Sequence, residues 1–175
     1  MRGCDKLLEK VDGTPLLARA VAAARAAARE VIVVLPEGDI ARASVAGHAR
    51  IIRVTERAMS ASIRAGVAAC TAGAALLHLA DMPEIGSPEL RVVIQAWRRG
   101  TAPILRATAA DGTPGQPVVF ARALFPELDA LRGDQGARRV LRRHPVDTVA
   151  LPGRAALTDL DTPEDWARWR DGQVP

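Results

Sequence analysis

The ten residues AALLHLADMP at 74–83 constrain the fold more than any other stretch of the chain. An apolar run of strand length leads directly into Asp81 and then Pro83, so the acid lies where a strand ends and a loop begins. In open α/β sheets, ligands bind at the edge where parallel strands end. Asp81 is therefore a candidate catalytic or metal-binding carboxylate, the alternative being a residue that only begins a turn. His78, inside the apolar run, is predicted to be a core residue with satisfied hydrogen bonds.

Strand and helix patterns alternate along the rest of the chain. The run EVIVVL at 30–35, stopped by Pro36, predicts a fully buried parallel strand, and RIIRV at 50–54 predicts another. The segment 111–117 is rich in turn residues and predicts a loop before a strand at 118–120. Helical patterns separate these runs. The alternation predicts one α/β domain with three layers and a mostly parallel sheet.

Two threonine–proline pairs predict helix starts. Thr14 and Pro15 are expected to be the N-cap and the first residue of an alanine-rich helix. Thr162 precedes Pro163, and Asp165 follows three residues after Thr162, as in a capping box. Local helix capping therefore explains part of the acidic cluster near the carboxyl terminus.

The bulk composition excludes several classes of protein. The 175 residues are 49% hydrophobic and 25% charged, and no apolar run is long enough to span a bilayer, so we expect a soluble, cytoplasmic protein without a membrane partner. The chain has 22 arginines but three Trp, two Phe and no Tyr, which argues against nucleic-acid binding. Cys4 and Cys70 are too far apart to indicate a zinc site or a disulfide framework.

A second acidic cluster, TDLDTPED at 158–165, supplies further candidate carboxylates. Capping does not explain Asp159 and Asp161, and Asp161 lies closest to the loop edge. If Asp161 and Asp81 meet at one sheet edge, they would suit Mg²⁺, which takes one or two carboxylates together with phosphate oxygens and water.

Each of the remaining candidate site residues has two interpretations. Lys6, one of only two lysines, is either a solvated surface charge or a point charge for a triphosphate. Ser60 and Ser62 either begin a helix or direct hydroxyl groups at a base or ribose. The segments around Gln116 and Asp134 are interpreted first as turns, and the alternative is that they are substrate-binding loops.

Seven short motifs, taken in order, make the chain resemble the MobA-like NTP transferases, and within them the molybdenum cofactor cytidylyltransferase branch. The resemblance covers essentially the whole chain and rests on the order of the motifs, since each alone is weak. These are KLL at 6–8, DGTPLL at 12–17, MSASIRAG at 59–66, LADMP at 79–83, GQPV at 115–118, GDQGAR at 133–138 and DLDTPED at 159–165.

The resemblance implies a Rossmann-like, GT-A-like nucleotidyltransferase fold and the transfer of CMP from CTP to the phosphate of molybdopterin, with release of pyrophosphate. It assigns nucleotide binding to Lys6, Ser60, Ser62 and Asp81. Lys6 and Asp81 would be catalytic, and Asp81 and Asp161 would hold Mg²⁺. Gln116 and Asp134 would bind the pterin substrate. A molybdoenzyme or its chaperone is the implied protein partner.

The chain departs from the family pattern in two places. Members usually have His at the position of Gln116. They also begin with an apolar strand and a loop of the form LAAGxSxRMG, whereas this sequence begins at Met1-Arg2-Gly3, like the end of that loop. We expect that Met1 is an internal methionine and that the domain over 1–175 is truncated at its amino terminus; the alternative is an inactive chain without a phosphate loop.

Two other functions stay open at the level of sequence. One is an accessory protein that binds the nucleotide or cofactor without turnover. The other is an NAD(P)H-dependent oxidoreductase, although the chain has no G-x-G-x-x-G fingerprint. The sequence does not decide between CTP and GTP, nor does it identify the acceptor or the oligomeric state.

Overall fold

The computed structural model describes residues 5–133 and 136–172. Strands and helices alternate through most of this length, as the sequence predicts. The strands are β1 (Lys10–Val11), β2 (Thr14–Pro15), β3 (Ile32–Pro36), β4 (Arg50–Val54), β5 (Ala74–Leu77), β6 (Ile104–Thr108), β7 (Pro114–Ala121) and β8 (Val146–Ala150). The α-helices are α1 (Leu16–Ala27), α2 (Ile40–Val45), α3 (Met59–Ala69), α4 (Ser87–Arg99), α5 (Phe125–Asp129), α6 (Arg138–Leu141) and α7 (Pro163–Arg170), and a 3₁₀ turn covers Arg122–Leu124.

The largest sheet has four strands in the order β5-β7-β6-β8. β6 and β8 are parallel, whereas β7 is antiparallel to both β5 and β6. Three of the four strands therefore share one direction, and β7 alone runs against them. β3 and β4 form a separate parallel pair, and β1 and β2 form a short hairpin. The predicted α/β class with a mostly parallel sheet is confirmed.

Apolar clusters cover both faces of the sheet, which gives the three predicted layers. On one face Val119 packs with Leu90 and Val93 of α4, and the alanines of α1 pack against the same cluster. On the other face Val118 and Phe120 pack with residues of α3, α5 and α6. Successive residues of β7 thus enter opposite clusters, as the two-residue period of a strand requires.

The prediction of a loop over 111–117 is wrong for its second half, because β7 already begins at Pro114. Tertiary contacts hold this turn-rich segment extended. The Arg106 guanidinium donates to the Gly115 and Pro114 carbonyl oxygens at 2.9 and 3.3 Å, and the Gln116 backbone N–H donates to the Ala156 oxygen at 2.8 Å. Local turn chemistry is overridden by partners from distant parts of the chain.

The predicted start of α1 is also wrong. Thr14 and Pro15 belong to β2, and the helix begins at Leu16 with no side-chain cap. The turn at Asp12 and Gly13, with φ of 50° and 79°, folds β2 back onto β1. The Leu16 N–H donates to the Glu9 carbonyl oxygen at 2.9 Å, so the hairpin supplies the hydrogen bond that a cap would have made.

The outer edges of β3 and β5 are among those that have no strand partner in the described part of the chain. β3 pairs only with β4, and β5 lies at the end of the four-stranded sheet. The further amino-terminal strand that the resemblance implies stays a prediction. In the described part of the chain, no helix combines the length and apolar character needed to cross a bilayer.

Candidate functional site

Lys6 joins the two carboxylates that the sequence singles out. Its Nζ lies 2.6 Å from Asp81 Oδ2 and also donates a hydrogen bond to Asp161 Oδ1. The partners are 75 and 155 positions away along the chain. Burial alone lowers the pKa of Lys6, but the hydrogen bonds to Asp161 and Asp81 outweigh it, and the net pKa is raised. Lys6 is therefore an ammonium group at neutral pH.

A second ion pair fixes the segment that carries Lys6. The Arg42 guanidinium contacts both carboxylate oxygens of Asp5, Nε to Oδ2 at 2.8 Å and Nη2 to Oδ1 at 3.0 Å. The hydrogen bond from Arg42 lowers the pKa of Asp5, so this carboxylate stays charged. The Leu17 N–H also donates to the Leu7 oxygen at 3.0 Å, which ties the segment to α1. Sequence reasoning missed both Asp5 and Arg42, because no local signal links residues 37 positions apart.

Asp81 lies just beyond β5, as predicted, and is largely buried. Its Oδ1 is buried without a hydrogen-bond partner among the described residues. The ring nitrogens of His78, between β5 and Asp81, are buried. The prediction that its hydrogen bonds are satisfied is wrong, since neither nitrogen has a partner in the described part of the chain. Burial lowers the pKa of His78 to about 4, although the negative charge of Asp81 acts to raise it. The imidazole is therefore neutral at pH 7.

The segment from Ala156 to Asp161 crosses the edge of the sheet and connects Gln116 with Asp81. The Ala156 oxygen accepts from the Gln116 N–H at 2.8 Å, and the Leu160 N–H donates to the Asp81 oxygen at 3.3 Å. The crossing is close at Gly115, where an added Cβ would lie 2.0 Å from the Ala156 oxygen. Only glycine fits there.

The predicted capping box at the start of α7 holds this segment from its other end. The Thr162 hydroxyl accepts from the Asp165 N–H at 3.1 Å, and the Asp165 carboxylate accepts from the Thr162 N–H at 2.8 Å. Asp161 immediately precedes the cap and remains available to Lys6. Asp159, by contrast, makes no side-chain hydrogen bond to any described residue.

Ser60 and Ser62 make no hydrogen bond with the lysine cluster, which is formed by Lys6, Asp81 and Asp161. Ser60 and Ser62 lie in the first turn of α3, and the Ser60 Oγ is buried without a partner among the described residues. The Ser60 N–H donates to the Gly133 oxygen at 3.4 Å, which brings the start of α3 to the loop that precedes Asp134. Asp134 itself lies outside the described residues. The nucleotide-binding and substrate-binding roles of all these residues stay predictions.

A cavity of about 200 Å³ adjoins the cluster on the side of Asp161. Both polar and aromatic side chains line it, among them Arg154, Asp161, Arg168 and Trp169. Its lining carries charges of both signs, and it includes Asp161, the residue that accepts a hydrogen bond from Lys6.

The donor set fits a divalent cation. No group of three or more potential ligands occurs among the described residues, so a metal here would rely on two carboxylates. The unpartnered buried Oδ1 of Asp81 is a free ligand atom, and Asp161 is exposed and can turn toward the same ion. Two carboxylates completed by phosphate oxygens and water match the coordination that Mg²⁺ accepts.

Comparison with known families decides the class of the protein. The model of the MobA-like NTP transferase domain matches residues 1–149. The chain belongs to this family. The nucleotidyltransferase fold expected from the sequence is thereby confirmed.

The chain is also similar to solved structures and to a curated relative. Rv0371c from Mycobacterium tuberculosis H37Rv is 30% identical, with a TM-score of 0.81 over 97% of this chain and 90% of that chain. A manganese complex of Rv0371c, 28% identical, superposes with a TM-score of 0.79 over 93% of this chain and 89% of that chain. The purine catabolism protein PucB of Bacillus subtilis (strain 168) is 28% identical over 52% of this chain, and the match spans 44% of PucB, less than half of its length.

Proposed function

We propose that this protein transfers CMP from CTP to the terminal phosphate of molybdopterin in the cytoplasm, with release of pyrophosphate. The observation that carries the proposal is the convergence of Lys6 with Asp81 and Asp161 at the edge of the sheet. A lysine between two carboxylates supplies what phosphoryl chemistry needs, which is positioning and neutralisation of charge rather than a protein nucleophile.

The family supports the transfer of a nucleotide, and the manganese complex of Rv0371c supports the use of a divalent cation. A bound Mg²⁺, held by Asp81 and Asp161, would neutralise charge on the triphosphate and on the leaving pyrophosphate. The choice of CTP and molybdopterin rests on the motifs that the chain shares with the cytidylyltransferase branch.

The chain's own residues have three roles in this proposal. Lys6 remains an ammonium group and can donate hydrogen bonds to phosphate oxygens once a triphosphate enters. Asp5 and Arg42 hold the backbone beside Lys6, so the ammonium approaches the phosphates from a fixed direction. The Ser60 hydroxyl, buried at the start of α3 without a partner among the described residues, would bind the nucleotide.

Release of pyrophosphate from the full-length protein with CTP, Mg²⁺ and molybdopterin tests the proposal. We expect turnover with CTP to exceed turnover with GTP, and Asp81→Asn to lower the rate about 10³-fold, because it removes a charged ligand of the Mg²⁺ that would neutralise the reacting phosphates. Asp159→Asn is the matched control, since Asp159 belongs to the same acidic cluster but makes no contact with Lys6. Equal rates for the wild type and Asp81→Asn, or no pyrophosphate from either, would contradict the proposal.

A further inference from the structure

Arg106 differs from the other half-buried basic side chains. Among the described residues five basic side chains are half-buried, and four of them make a salt bridge with a carboxylate: Lys6, Arg19, Arg42 and Arg64. Arg106 makes none in this part of the chain. A guanidinium that has lost part of its hydration normally gains a counter-charge, because burial of an unpaired charge is costly.

The hydrogen bonds of Arg106 leave donors free. Nε and Nη2 donate to the carbonyl oxygens of Gly115 and Pro114. A guanidinium has five N–H groups, so three remain, including both on Nη1. The two carbonyl oxygens immediately precede Gln116 and fix the plane of the guanidinium next to it. Arg106 is therefore oriented without being neutralised.

The fold brings a second arginine to the same place. Val118 lies directly opposite Arg106 in the β6–β7 pair, and Ile104 lies two residues before it. Ala137 and Val140, on either side of Arg138, pack in the apolar cluster that contains Ile104 and Val118. Burial lowers the pKa of Arg106, and the positive charge of Arg138 lowers it further. Like Arg106, Arg138 makes no salt bridge with any described residue.

Arg106 and Arg138 lie near Gln116, the residue that is predicted to bind the acceptor. Gln116 is two residues beyond the last β5–β7 pair, Leu77 with Val118, and Asp81 is four residues beyond it on the other strand. Both therefore follow the same edge of the sheet. The segment that contacts Gln116 through Ala156 reaches Asp81 through Leu160, so the two arginines and the lysine cluster belong to one continuous edge.

We propose that Arg106 and Arg138 bind a phosphate group of the acceptor beside Gln116. Two guanidinium groups with free N–H donors match the planar, paired geometry by which arginine recognises phosphate. The attraction of both guanidinium groups to a dianion between them would offset their mutual repulsion. The assignment of this phosphate to the acceptor rests on the proposed function, whereas the anion site itself does not.

Side-chain NMR with inorganic phosphate tests the site without turnover. In ¹⁵N-labelled full-length protein the Arg106 Nε–Hε signal is assigned by its loss in Arg106→Lys, and phosphate is titrated against chloride at constant ionic strength. Arg122 is the matched control, because it also donates to two carbonyl oxygens, those of Cys70 and Ala72, and also makes no salt bridge with a described residue. We expect a saturable shift of Arg106, no shift of Arg122, and about tenfold weaker phosphate binding in Arg138→Ala.

An Arg106 signal that moves no more than that of Arg122 would overturn the inference, as would unchanged affinity in Arg138→Ala. Asp134, four residues before Arg138 in the sequence, is an acidic residue outside the described part of the chain. Asp134→Asn tests whether its carboxylate is the partner of the two arginines. If phosphate binds only in Asp134→Asn, an internal carboxylate is the partner and the inference is wrong. Urea unfolding of each variant establishes that it is folded.

Kinetics separate this inference from the proposed function. If the wild type releases pyrophosphate, Arg106→Lys should raise KM for molybdopterin about tenfold and leave KM for CTP unchanged. If the wild type shows no turnover but the Arg106 signal still shifts with phosphate, the proposed function is wrong and the anion site is supported. Turnover with an unchanged KM for molybdopterin and no shift would leave the proposed function and remove the anion site.

Discussion

The edge of the sheet has two halves with opposite arrangements of charge. In the acidic half, formed by Lys6, Asp81 and Asp161, the cation lies between two anions. In the basic half, formed by Arg106 and Arg138, no described carboxylate neutralises either guanidinium. The acidic half thus holds an internal cation, whereas the basic half has no described counter-charge. In our proposals this difference orders the site, with nucleotide and metal at the acidic half and an anionic acceptor at the basic half.

Replacement of Lys6 is expected to have the largest effect, since it breaks the acidic half. Lys6→Met should lower kcat/KM for CTP about 10²-fold or more, because Asp81 and Asp161 are left facing each other and the triphosphate loses its ammonium partner. Lys10→Met is the matched control, because Lys10 is the other lysine of the chain and is exposed. Steady-state release of pyrophosphate measures both. If kcat/KM falls less than threefold in Lys6→Met, the acidic half does not take part in catalysis.

The connection between the halves is tested at Gly115. Gly115→Ala should destabilise the protein by about 2–3 kcal/mol, because the new methyl group would force the Ala156 backbone away from the sheet. Gly73→Ala, where an added Cβ meets nothing within 4 Å, should change stability by less than about 0.5 kcal/mol. Urea unfolding with linear extrapolation measures the difference. Equal stabilities would show that the crossing segment moves freely.

His78, beneath the acidic half, predicts a pH dependence of stability. Its folded pKa of about 4 lies below the ordinary 6.5, so the unfolded chain binds the proton first and stability falls as pH drops from about 6.5 to 4. Between pH 6.5 and 5 the loss should be about 1.5 kcal/mol. His78→Leu should remove this dependence, and His48→Gln, at an exposed histidine, should keep it. An unchanged slope in His78→Leu, measured by urea unfolding at each pH, would contradict the assignment.

The smallest effect is expected at Arg42, which only positions the acidic half. Arg42→Met should cost about 1 kcal/mol, because the pair with Asp5 is bidentate but partly exposed. Arg50→Met, at a more exposed pair with Glu30, should cost less. The lowered pKa of Asp5 means that the Asp5–Arg42 contribution is present above the unfolded pKa of Asp5, near 4, and is lost as pH falls through the folded value. Urea unfolding at pH 7 compares the two variants, and a greater loss in Arg50→Met would contradict the anchoring role.

The sequence by itself determined the elements whose signals are local. The apolar run before Asp81 predicted β5 and placed the acid in the loop after it, although the strand already ends at Leu77. The spacing of Thr162 and Asp165 predicted the capping box of α7. Both features depend on contacts within a few residues, so periodicity and capping rules suffice. The order of short motifs also identified the family.

Only the tertiary structure decided where distant residues meet. The sequence allowed two interpretations of Lys6. Its contacts with Asp81 and Asp161 exist because the fold brings together residues that are 75 and 155 positions apart. The early start of β7 and the neighbouring positions of Arg106 and Arg138 depend on a crossing segment and on packing across the sheet. These contacts are non-local, and a pattern read over a short window contains no information about which chain segment will be the neighbour.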